Sequence, residues 1–108
     1  MMSEYVRFSD LGAEAPIPPR GIHSQTLSDA GGVTLVLFAF APGEELSEHT
    51  SARPAIVHIL DGEAELSAGD YRFTGAAGTW FRMPAGMPHS VRARTPLRMA
   101  LTLLPAGG

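Results

Sequence analysis

The stretch "AIVHILDGEAELSAGDYRFTG", residues 55–75, sets three short apolar-rich runs between the dipeptides Asp61-Gly62 and Gly69-Asp70. Both dipeptides suit tight turns: glycine takes a positive φ without a Cβ clash, and aspartate can hydrogen-bond its own backbone. The spacing predicts three β-strands joined by short turns. Upstream, "GIHSQTLSDAGG", residues 21–32, reads as a strand ending in a turn over Asp29 to Gly32. "VTLVLFAFAPG", residues 33–43, then reads as one long strand, with Val33, Leu35, Leu37 and Ala39 on one face and Val36, Phe38 and Phe40 on the other. Both faces are apolar, so this strand is expected to be covered on both sides. Downstream, "GTWFRMPAGMPHSVRARTPLRMALTLLP", residues 78–105, gives a strand, a Pro-Gly turn, a second strand, Pro96, and a final strand from Arg98 to Leu104. Apolar residues nowhere recur at helical spacing over a useful length. The chain therefore reads as all-β, a sandwich or closed barrel, without a repeat of solenoid length.

A chain of 108 residues, 44% hydrophobic and 18% charged, suits a single globular domain. Residues 1–21 are read as an irregular arm, because Pro16, Pro18 and Pro19 remove backbone donors and fix their dihedrals, and residues 22–108 as the barrel domain. The net charge is −3, and all 8 cations are arginines scattered without a basic run, which argues against nucleic acid as a partner. Absence of lysine and cysteine excludes Schiff-base catalysis, a thiol nucleophile, disulfides and cysteine-ligated zinc. The start lacks the apolar segment of a signal peptide, and no run approaches the ~20 apolar residues of a membrane span. A soluble cytoplasmic protein is the expectation. No G-x-S-x-G elbow occurs, so a serine hydrolase is poorly supported.

Two segments together resemble the cupin superfamily. Gly43, His49 and Gly62 occupy positions of its first motif, G-x5-H-x-H-x(3,4)-E-x6-G, and Gly78, Pro84, Gly86 and His89 match the second, G-x5-P-x-G-x2-H-x3-N. The resemblance implies a double-stranded β-helix, a small jelly-roll barrel. In metal-binding members, two histidines and an acid of the first motif and one histidine of the second hold a divalent ion. This chain keeps His49 and His89; Ser51 stands at the second histidine position, Ala55 at the acid position and Ala93 at the closing asparagine.

Strand alternation asks whether other residues fill the gap. In an unbroken strand Glu45, Ser47 and Ser51 share the face of His49 and Glu48 points away, reaching inward only through a bulge. His58 lies opposite Ala55, Val57 and Ile59 unless a bulge near Arg53 and Pro54 exchanges those faces. His89 shares its face with Val91 and Ala93. The metal candidates are therefore His49 and His89, with His58 or Glu48 conditional on a bulge, for iron, zinc, nickel or manganese. Two histidines alone make a weak, largely hydrated site. The expected ligand pocket is lined by Ser51, Val57, Ile59, Met83 and Val91, with Phe81 or Trp80 as further candidates and Arg53 and Arg82 near its mouth.

Nothing in the chain indicates a nucleotide cofactor, and catalytic residues are not identified. Two functional readings stay open. One is a small-molecule-binding cupin with a barrel metal and dioxygenase- or isomerase-like chemistry. The other is a non-catalytic ligand-binding or sensing cupin that has lost its metal. A homodimer is expected, because both the strand Val33 to Phe40 and the final strand are apolar on both faces.

Overall fold

The computed structural model describes residues 5–106. The first four residues of the expected arm and the last two of the expected barrel domain lie outside them. Among the described residues nine strands follow one short 3-10 turn at Leu11–Glu14: β1 (Ile22–Ala30), β2 (Val33–Phe40), β3 (Glu45–His49), β4 (Ala55–Asp61), β5 (Glu63–Ala68), β6 (Tyr71–Ala76), β7 (Trp80–Met83), β8 (His89–Ala93) and β9 (Leu97–Leu103). Five of them form one antiparallel sheet in the order β1-β2-β9-β4-β7, and four form a second in the order β3-β8-β5-β6. The two sheets enclose the core, as expected for an all-β jelly roll.

Alternation along each strand decides what is enclosed. Ala55, Val57 and Ile59 of β4, Ala64, Leu66 and Ala68 of β5, Met83 of β7, Val91 and Ala93 of β8, and Leu97 and Met99 of β9 form one buried cluster with Phe40. The long strand β2 is indeed apolar on both sides, for two different reasons. Phe38 and Phe40 pack into the barrel, whereas Leu37 and Ala39 join a second cluster on the outer face with Ala15, Leu27 and Leu60. Ala15 belongs to the proline-rich segment before β1, so that segment covers part of this outer face. Arg98 ties it down: its Nε donates to the Ala15 carbonyl at 2.7 Å and its Nη1 meets Asp61 Oδ2 at 3.0 Å.

One glycine is indispensable where the chain changes sheets. Gly62 links β4 of the larger sheet to β5 of the smaller one with φ +92°, and a Cβ there would fall on the Pro96 carbonyl oxygen. Only glycine meets both demands.

Candidate functional site

Two strands bring the motif histidines together. β3 and β8 are antiparallel neighbours in which His49 stands directly opposite His89. Their ring centroids are 4.3 Å apart at an interplanar angle of 58°. His89 is buried, while His49 is exposed at the mouth of the barrel. The two motif segments are cross-linked at both ends of this strand pair. At the histidine end Gly86 N–H donates to the Ser51 carbonyl at 2.8 Å; at the far end Gly43 N–H donates to the Ala93 carbonyl at 2.8 Å and Ala93 N–H to the Glu44 carbonyl at 2.9 Å. The turn glycine of the second segment thus holds the loop that follows His49.

Each imidazole is oriented by a backbone carbonyl two residues before it. Nδ1 of His49 lies 2.8 Å from the Ser47 oxygen, and Nδ1 of His89 lies 2.9 Å from the Met87 oxygen. A carbonyl can only accept, so both Nδ1 atoms carry the proton. In the neutral rings the lone pair is left on Nε2 in both cases, the tautomer a metal ligand or a proton acceptor needs.

Inward placement of His49 depends on a bulge that the sequence did not announce. Leu46 pairs with Val91 and His49 with His89, so β3 spends one more residue than β8 over Ser47 and Glu48. Strict alternation would place Glu45 on the face of His49; the bulge reverses this, and Glu45 faces outward with Arg92 opposite it. Glu48 is exposed within the bulge, and the extra residue turns His49 inward rather than Glu48.

His58 lies elsewhere. The ladder from Ala55 to Ile59 is regular against both β7 and β9, with its irregularity only between Ile59 and Asp61. No bulge near Arg53 or Pro54 therefore exchanges the faces of β4, and His58 stays on the outer side opposite Trp80 and Ala100. Among the described residues no group of three or more histidine, aspartate or glutamate side chains is placed to share an ion. His23, on β1 opposite Ala39, is exposed.

The expected pocket residues divide in two. Val57, Ile59, Met83 and Val91 are at most 2% exposed and belong to the closed core, with Phe81 packed against them. Ser51 stays at the rim, where its Oγ accepts from Arg53 N–H at 3.1 Å. Trp80 does not line the interior: it is 58% exposed on the outer face, which also carries Arg82. Nor is Arg53 free at the mouth. Its guanidinium donates to the Leu104 carbonyl at 2.9 Å, Thr34 Oγ1 at 3.0 Å, the Gly32 carbonyl at 2.6 Å and the Leu103 carbonyl at 3.1 Å. It therefore clamps the rim loop to the β1–β2 turn and to the end of β9. Sequence reasoning missed this role because all four acceptors are distant in the chain and three are backbone carbonyls.

Known proteins agree with this architecture. The sequence profile of the cupin domain matches residues 36–104. This chain belongs to the cupin family. Among solved structures, a conserved protein of unknown function from Streptococcus pyogenes is 30% identical with a TM-score of 0.83, over 97% of this chain and 92% of that one. A cupin superfamily protein from Desulfitobacterium hafniense is 24% identical with a TM-score of 0.81, over 88% and 87%. An oxalate decarboxylase variant from Bacillus subtilis is 16% identical with a TM-score of 0.74, over 85% of this chain but 27% of that longer one. No curated protein matches. No helix among the described residues is long and apolar enough to cross a membrane.

Proposed function

We propose that this cupin binds a small molecule at the barrel mouth through His49 and His89, which together hold a divalent metal ion by their Nε2 atoms. The observation that carries the reading is the facing imidazole pair with both Nδ1 atoms committed to carbonyls. Neutral imidazole suits zinc, iron and nickel, and the carbonyl partners fix ring orientation as outer-shell groups do in metal sites. The donor set also limits the reading. Catalytic zinc keeps three protein ligands and non-haem iron oxygenases two histidines and a carboxylate, whereas this pair supplies two nitrogens. Such an ion would be weakly held by His49 and His89, with the rest of its coordination left to water or an oxygen-bearing ligand. When bound, the ion would supply Lewis-acid polarisation of that ligand. The chain's own contribution is the fixed tautomer of both rings and, beneath them, an apolar floor of core side chains.

Calorimetric titration of the metal-free chain with nickel or zinc, followed by elemental analysis, tests the reading. One ion should bind per chain, and His49→Ala or His89→Ala should each weaken it by more than the roughly 10- to 100-fold that loss of an outer-shell partner costs. His58→Ala should leave binding unchanged. Equal uptake by the wild type and by the variants at His49 and His89 would sink the proposal.

We also infer a homodimer. The segment before β1 covers Leu37 and Ala39, but the outer face of the larger sheet continues through Ile56, His58 and Trp80, and Trp80 is 58% exposed. A small core gains from burying such a surface against a second copy.

A further inference from the structure

The smaller sheet has a second face, away from the histidines, and it carries a cup. Alternation that turns His89, Val91, Leu66 and Ala68 inward turns Ser90, Arg92, Ser67 and Glu65 outward. Ser67 and Ser90 are cross-strand partners in the middle strands, and their small side chains leave a depression. Long side chains wall it: Arg72 stands opposite Ser67, while Arg92 stands between Glu65 and Glu45. The resulting cavity has a volume of about 420 Å³.

Its floor has a donor to spare. Ser67 Oγ and Ser90 Oγ are 2.6 Å apart, and Ser67 is only 5% exposed. A bond between two hydroxyls consumes one of their two hydrogens and leaves the other available to a ligand in the cup. The guanidinium groups are also unspent. Among the described residues the ion pairs are Arg94 with Glu65 at 3.9 Å and Arg98 with Asp61 at 3.0 Å; Arg72 and Arg92 have no carboxylate within 4 Å. Planar guanidinium forks match carboxylates and phosphates alike. Charge decides between them. Two arginines against Glu45 and Glu65 leave the lining formally neutral, which accommodates a monoanion and opposes a dianion.

We propose that this cup is a binding site for a small carboxylate, held by Arg72 and Arg92 over the Ser67–Ser90 hydroxyl pair and independent of the histidine site. The test is a ¹H–¹⁵N titration of the full chain with sodium acetate, run against sodium chloride and inorganic phosphate at matched ionic strength. Acetate should give saturable shifts centred on Ser67, Ser90 and Arg72. The dissociation constant should rise at least tenfold in an Arg72→Gln, Arg92→Gln double variant and stay unchanged in His49→Ala. Ser90→Ala, which removes a hydroxyl and no charge, should weaken acetate several-fold and serves if the double variant loses its dispersed spectrum. Non-saturating shifts, equal shifts with chloride, tighter binding of phosphate than of acetate, or undiminished binding in either variant would each overturn the assignment.

Discussion

Arg53 ties three parts of the chain together through one side chain. It satisfies three backbone carbonyls and a hydroxyl from two separate segments, and Leu104 N–H returns a bond of 2.9 Å to the Pro54 carbonyl beside it. Hydrogen bonds from a charged donor contribute about 1.5–3 kcal/mol each, less than additively, and truncation leaves the acceptors to water. Arg53→Ala should therefore lower the unfolding free energy by about 2–4 kcal/mol in urea denaturation. Arg53→Lys should recover only part of it, because an ammonium lacks the planar fork. At the same scale, His49 and His58 show how little residue type says alone. Both are histidines on strands flanking one loop; one is turned to the barrel mouth and the other to the outer sheet face.

Among the elements, the corner between β4 and β5 and the bulge in β3 do the most to place the site. Gly62 combines a φ of +92° with a backbone approach in which a Cβ would meet the Pro96 oxygen and lie 2.9 Å from Leu97 Cα. A left-handed conformation alone costs a non-glycine residue about 1–2 kcal/mol, and here a backbone clash adds to it. Gly62→Ala should destabilise by about 3 kcal/mol or more, read as a lowered thermal midpoint with an unchanged strand signature in circular dichroism. That glycine was legible as a turn residue from Asp61-Gly62. The bulge at Ser47 and Glu48 was not, because no glycine or proline marks it; only pairing with β8 reveals the extra residue. A one-residue change in register sends a side chain to the other face, which is why the expected facing of Glu45 was reversed while the inward placement of His49 held.

For the whole molecule, the two faces of the larger sheet divide the labour. One closes the barrel, and the other is covered in part by the segment before β1 and carries exposed Trp80 beyond it. Sedimentation velocity should show a dimer, and Trp80→Arg should shift it towards monomer without loss of fold; a compact wild-type monomer at high concentration would refute the dimer. The sequence by itself determined the strand succession and the turns between strands, because turn chemistry and alternation are local and survive in a one-dimensional string; His49 and His89 were linked only by their places in the two motifs. Tertiary structure alone decided which face each histidine takes, that Arg53 is a clamp, and that Ser67, Ser90, Arg72 and Arg92 share one cup. Those outcomes depend on register between strands far apart in the chain, and register is fixed by how two sheets bury their apolar faces together, not by any one strand's own residues.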